Sequence, residues 1–146
     1  MIQMHTKDDI FTLPRVCDAV CVTTNGIIKQ NGRAVMGAGI AKQADDLYDL
    51  AGILGERLSE SGNHTYLLKE NPFYIISVPT KNHFKDPSSM NLIIQSCKEL
   101  VDIADATGFE KCYLPPLGCG LGGLKWNDVY NSIKDILDNR FIAVLR

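Results

Sequence analysis

Two stretches of this sequence carry the residue types needed to hold an anion. Met36-Gly37-Ala38-Gly39-Ile40 runs directly into a helical pattern, and Leu114–Gly123 reads LPPLGCGLGG, with glycine at 118, 120, 122 and 123. Glycine loses more backbone freedom on folding than any other residue, so such runs need a physical reason. One is a plain tight connection. The other is a main chain that must come close to a ligand, with its N–H groups and the positive end of a helix turned toward negative charge. Neither stretch has the Gly-Lys-Ser/Thr ending of a phosphate-binding Walker loop, and neither fits the GxGxxG dinucleotide fingerprint after a first strand. A kinase and a nicotinamide dehydrogenase are therefore disfavoured.

The elements that must position these stretches alternate in type. Ala19–Thr24 (AVCVTT) is rich in β-branched residues and predicts a strand. The polar, glycine-rich NGIIKQNGRAVMGAG that follows is too long for a simple turn, which points to a functional segment. Lys29 and Arg33 within it could shape the outer rim of a site, or the segment could be a floppy connection. Apolar residues then recur at helical spacing from Ile40 to about Leu58: Ala44, Leu47, Leu50, Leu54 and Leu58. Thr65–Leu68 and Phe73–Val78 predict strands separated by an Asn71-Pro72 turn. The second is apolar throughout, as expected of a strand covered on both faces. Ser88 or Ser89 could cap a helix carrying Leu92, Ile93, Leu100 and Ile103 and ending near Gly108. Lys111–Leu114 and Phe141–Leu145 predict strands, and Trp126 to about Leu137 a helix. Alternating strands and helices imply an α/β sandwich with a largely parallel sheet. In such sheets ligands bind beyond the carboxyl ends of strands, and both glycine stretches follow strands.

Bulk composition bounds the rest. The 146 residues suit one domain. Fifteen Lys+Arg against seventeen Asp+Glu leave a formal charge of −2, so no general basic footprint exists for nucleic acid. No apolar run approaches the roughly 18 residues that cross a membrane, and MIQMHTKDDIF lacks a signal-peptide core, so a cytoplasmic location is expected. The five cysteines (Cys17, Cys21, Cys97, Cys112, Cys119) are odd in number and lack a CxxC pair. A disulfide framework and a metal site are disfavoured, and most of these thiols should be buried small hydrophobes.

Lys7-Asp8-Asp9-Ile10-Phe11, Val35-Met36-Gly37-Ala38-Gly39-Ile40-Ala41 and Leu114 to Trp126 (LPPLGCGLGGLKW) together resemble the macrodomains. The branch is that of the terminal ADP-ribose protein glycohydrolases and of the antitoxin macrodomains that strip ADP-ribose from DNA. The resemblance implies a single macrodomain over 1–146, a three-layer α/β/α fold around a mixed, largely parallel sheet, with no cofactor and a monomeric chain. The expected partner is ADP-ribose or an ADP-ribosylated macromolecule, with nucleic acid entering only as a modified substrate. Asp9 would accept a hydrogen bond from the adenine amino group, with Ile10 beside the ring; the plainer role for Asp9 is a helix or turn cap. Gly37, Ala38, Gly39 and Ile40 would line the diphosphate and distal ribose. Gly118, Cys119, Gly120, Leu121 and Gly122 would close over the phosphates. Asn25 would lie near the distal ribose.

The resemblance also supplies chemistry. A lysine after a central strand acts on the anomeric carbon of the distal ribose in these relatives, and Lys81 in VPTKNHF occupies the matching place. Attack by its amine would give a lysyl-linked intermediate that water resolves. The alternative is a solvated loop lysine or a phosphate partner. His83 could exchange protons as a general acid/base, or be a surface histidine. Cys119 among backbone donors is placed where a thiol pKa would fall, yet it reads better as a small residue packed beneath the loop. The protein glycohydrolases of the branch carry an aspartate where this sequence has Gly122, and the antitoxin-like branch has glycine there. Its members often place an aspartate where this chain has Lys125. Three functions are therefore in competition: a hydrolase that cleaves ADP-ribosyl linkages on protein carboxylates or nucleic acid bases through Lys81, a non-catalytic binder of ADP-ribose or a related nucleotide signal, and a phosphatase acting on ADP-ribose 1″-phosphate.

Overall fold

The computed structural model describes residues 2–6 and 9–145, so Lys7 and Asp8 of the first motif lie outside the described residues. Six strands build one sheet: β1 (Gln3–Thr6), β2 (Ala19–Thr24), β3 (Tyr66–Lys69), β4 (Tyr74–Pro79), β5 (Cys112–Leu114) and β6 (Phe141–Leu145). Their order is β1-β6-β5-β2-β4-β3. Every neighbouring pair is parallel except β3 with β4. β1 is not predicted by its residue pattern. It is a four-residue edge strand with Met4 exposed, so little apolar alternation marks it.

Alternate residues of the central strand feed two separate cores, as period-two side-chain alternation requires. Ala19 and Cys21 join one cluster; Val20 and Val22 join the other. The first core is closed by α3 (Met90–Thr107) and α4 (Trp126–Ile133) through Ile93, Cys97, Leu100, Val129 and Ile133. The second is closed by α1 (Gly39–Tyr48) and α2 (Ala51–Ser61) through Ala41, Ala44, Leu54 and Leu58. These are the three layers. Ser89 caps α3, accepting from the Leu92 N–H, and Gly108 ends it in the left-handed region. α4 is shorter than its apolar pattern predicts and ends at Ile133. Three of the five thiols are buried, with Cys21 and Cys112 sulfurs 3.3 Å apart on adjacent strands. Burial pushes the Cys21 and Cys97 thiols upward, away from reactive thiolate.

The single helix expected over 40–58 is two helices. Asp49 sits in the left-handed region at φ 54° and ends α1. The Asp45 carboxylate then receives the N–H groups of Leu50 and Ala51 at 2.9 and 2.8 Å, supplying the start of α2. Apolar residues recur through this break in the sequence, which is why the pattern conceals it, but Leu47 beside the break is exposed while Ala44, Leu50, Leu54 and Leu58 are buried. Asp45→Ala removes the acceptor for two N–H groups at once and is expected to cost about 1–2 kcal/mol, read as a lower urea midpoint at unchanged slope.

The segment after β2 is a short hairpin held against this break. Ile28 bridges Ala34, Lys29 N–H donates to Arg33 O at 2.8 Å, and Ala34 N–H donates to Ala51 O at 2.9 Å. The Arg33 guanidinium turns onto Asp49 at 3.0 Å and Asp45 at 3.5 Å. Arg33 is thus a strut of the α1–α2 junction and does not shape the rim.

Candidate functional site

Five strands of the sheet are mutually parallel, so their carboxyl ends share one edge. A cavity of about 1110 Å³ lies along that edge. Its lining follows the strand order. Asp9 and Ile10 come after β1, Val144 and Leu145 end β6, and Pro115 and Pro116 follow β5. Thr24 and Asn25 leave β2, and Thr80 and Lys81 leave β4. Four strand spacings separate β1 from β4, which is about 19 Å.

One wall is the start of α1. Gly37, Ala38, Gly39 and Ile40 line the cavity. Ala38 precedes the first helical residue in an extended conformation, and no side chain caps this end. The first backbone bond of the helix is Lys42 N–H to Ala38 O at 3.2 Å. The N–H groups of the first turn are therefore left for a ligand, with the helix dipole behind them. The opposite wall is the bend after β5. Gly118, Cys119, Gly120, Leu121 and Gly122 all line the cavity. Cys119 N–H to Pro116 O at 3.1 Å and Leu124 N–H to Gly118 O at 3.0 Å fold it into a tight loop around one 3-10 turn over Gly120–Gly122. Leu121 at its tip is 79% exposed.

Asp9 takes the capping role that its sequence position offered, and it also lines the cavity. Its Oδ1 accepts from Phe11 N–H at 3.0 Å, capping a 3-10 turn. Gln43 Nε2 lies 3.2 and 3.1 Å from its two oxygens. A carboxylate offers about four acceptor positions, and these contacts use only part of that capacity. Ile10 is buried beside it. Asn25 also lines the cavity, but its amide is largely committed to the hairpin. It donates to Val35 O and accepts from Ile27 N–H, both at 3.0 Å.

Lys81 lines the cavity on a clamped main chain. Asn63 donates to the Lys81 carbonyl at 3.0 Å, and the flanking strand ends are tied by Thr80 N–H to Thr24 O and Gly26 N–H to Asn82 O. Its ammonium joins no salt bridge among the described residues. His83 is not brought to the cavity. Its Nδ1 accepts from Lys85 N–H at 3.1 Å and its ring packs on Phe84, 4.4 Å between centroids. The chain turns between 81 and 83, so residues two apart face different ways. His83 is thus engaged with Phe84 and the Lys85 main chain and is not among the cavity-lining residues. Cys119 is half-buried and offers its thiol to Leu117 O at 3.6 Å. Burial raises its pKa, the opposite of the shift expected from backbone donors.

Several lining residues escaped the sequence reasoning. Gln43 is one turn into α1 from Gly39, on the face turned to Asp9, and a helical wheel drawn from the glycine end would have shown it. Phe84 lines the mouth and is 42% exposed. Ser88 reads in the sequence only as an alternative cap for α3, yet it too lines the cavity.

The Macro domain family model matches residues 61–133, half of the chain. The chain belongs to the macro domain family. The macrodomain is similar to a DNA ADP-ribosyl glycohydrolase of Thermus aquaticus, 39% identical over 67 residues, covering 46% of this chain and 19% of that protein. The solved macrodomain of Thermus aquaticus DarG superposes with a TM-score of 0.78 at 27% identity, covering 100% of this chain and 98% of that one. Thermosipho africanus DarTG, solved in complex with ADP-ribose, shares the fold with a TM-score of 0.78 at 22% identity, over 99% of this macrodomain and 42% of that chain. The chain spans less than a third of the length of the curated relatives it matches.

Proposed function

We propose that this macrodomain binds ADP-ribose along the carboxyl edge of its sheet and hydrolyses ADP-ribosyl linkages to nucleic acid bases. The order of groups along that edge carries the reading. Asp9 and Ile10 beside β1 suit an adenine. The two N–H-bearing bends in the middle suit a diphosphate. Asn25 and Lys81, after β2 and β4, suit the distal ribose. A span of about 19 Å fits a base–ribose–diphosphate–ribose chain laid across the strand ends. The names of the relatives, DNA ADP-ribosyl glycohydrolases, support nucleic acid as the modified substrate. So does Phe84, an exposed ring at the Lys81 end, beside which His83 already lies with its centroid 4.4 Å away. A departing planar base can stack on such a ring; a carboxylate side chain cannot.

In this reading the Lys81 amine forms a C–N bond to the anomeric carbon as the bond from that carbon to the base breaks. The electron pair leaves with the base, which takes up the proton that the amine gives up. Water then adds to the same carbon, the lysine departs with a proton, and free ADP-ribose is released. The diphosphate stays on the two bends throughout, so binding energy away from the reacting carbon holds that carbon at the amine.

Calorimetry with ADP-ribose, paired with release assays on ADP-ribosylated single-stranded DNA and on protein modified at glutamate, tests this directly. Binding together with release from DNA is the expected result. Binding with release from neither substrate would leave a non-catalytic binder, and phosphate set free from ADP-ribose 1″-phosphate would favour the phosphatase.

A further inference from the structure

Ser88 carries the buried side-chain polar atom that lacks a hydrogen-bond partner among the described residues. The residue is 8% exposed, and it lines the cavity. Its main chain is fixed: Ser88 N–H donates to Gly122 O at 2.9 Å, and the next N–H, of Ser89, donates to Thr80 O at 2.9 Å. Ser88 thus bridges the glycine-rich bend and the strand end that carries Lys81. Its hydroxyl is pressed against Gly122. A Cβ built there would lie 2.1 Å from Ser88 Oγ, and one built at Gly118 would lie 3.1 Å from Ser88 Cβ. Any side chain at 122 would occupy the hydroxyl's place, so the glycine at this position follows from the serine.

An unmade hydrogen bond on a buried hydroxyl is costly, and buried polar groups are otherwise paired. The hydroxyl is enclosed beneath the bend, so an acceptor can reach it only from a ligand seated on that bend. We propose that Ser88 is a ligand-binding group of this site, donating its hydroxyl proton to an oxygen of the diphosphate–ribose segment seated on Gly118–Gly122. The inference rests on the ADP-ribose reading above and adds to it a hydroxyl that the main-chain amides cannot replace.

The test compares Ser88→Ala with the unaltered protein by ADP-ribose calorimetry and by melting with and without ADP-ribose. About tenfold weaker binding is expected, with a smaller ligand-induced rise in Tm. The ligand-free Tm should stay equal or increase, because the alanine leaves no polar group unpaired. Ser88→Cys, similar in volume but a weak donor, should fall between the two in affinity. Equal affinity in Ser88→Ala overturns the inference while the ADP-ribose reading stands. A ligand-free Tm lowered by several degrees also overturns it, since the hydroxyl would then have a partner inside the folded protein. Absence of ADP-ribose binding by the unaltered protein removes the reading and the inference together.

Discussion

Lys81→Ala is expected to slow release of ADP-ribose from modified DNA about a thousandfold or more under single-turnover conditions, with the ADP-ribose Kd within about threefold of the starting value. The asymmetry follows from what each part of Lys81 does. Its main chain is held by the Asn63 amide and by the neighbouring Thr80–Thr24 and Asn82–Gly26 bonds, none of which uses the side chain. Its ammonium joins no described salt bridge, so truncation leaves no carboxylate unpaired. On the proposed binding mode the diphosphate remains held by the start of α1 and by the Gly118–Gly122 bend, neither of which the substitution touches. Lys81→Arg separates charge from nucleophilicity. A guanidinium keeps the positive charge but does not lose a proton near neutral pH, so this variant should bind ADP-ribose and be as inactive as the alanine. Full activity in Lys81→Arg would assign the lysine an electrostatic role; full activity in Lys81→Ala would remove it from the reaction.

What the sequence made legible is the part written in local chemistry. GAGI and GCGLGG announce themselves by composition, and their placement after predicted strands points to the shared edge on which they meet. Ala19–Thr24 and Phe73–Val78 are legible for the same reason, since each is buried along nearly its whole length. What stayed hidden depends on side chains that act across the fold. The α1–α2 break is made by Asp45 reaching two N–H groups beyond the end of its own helix, while apolar residues recur through it in the sequence. β1 exists because β6 offers an edge, with register from Gln3 opposite Ile142 to Thr6 opposite Leu145. The bend after Lys81 turns His83 away, and linear spacing cannot show a turn's direction. Ser88 looks like a cap beside Ser89 in sequence. Only the packing of the loop against it shows that Ser89 caps α3 while the Ser88 hydroxyl lies unpaired beneath the glycine bend.

Gly55→Ala is expected to destabilise the protein by about 3 kcal/mol or more, a methyl group doing the work of a large core lesion. Gly55 lies in α2 with the hairpin segment crossing directly over it. A Cβ there would be 1.9 Å from Gly32 O, 3.0 Å from Gly32 C and 3.1 Å from Ala34 N. These are main-chain atoms, so no rotamer change relieves the contact. The hairpin must lift, and lifting it breaks the bond from Ala34 N–H to Ala51 O and pulls Arg33 from Asp45 and Asp49. The same chain continues into Val35 and Met36 and then into the Gly37–Ile40 wall of the cavity. ADP-ribose binding should therefore weaken even at temperatures where the variant remains folded. Gly52→Ala is the matched comparison on the same helix. Its Cβ would find only Arg33 Nη1, at 3.5 Å, and alanine restricts the unfolded chain, so a gain of about 0.4–1 kcal/mol is expected. Urea midpoints of the two variants should move in opposite directions. Should Gly55→Ala unfold at the midpoint of the unaltered protein, the hairpin is not seated on α2, and the support assigned here to the α1 wall is lost.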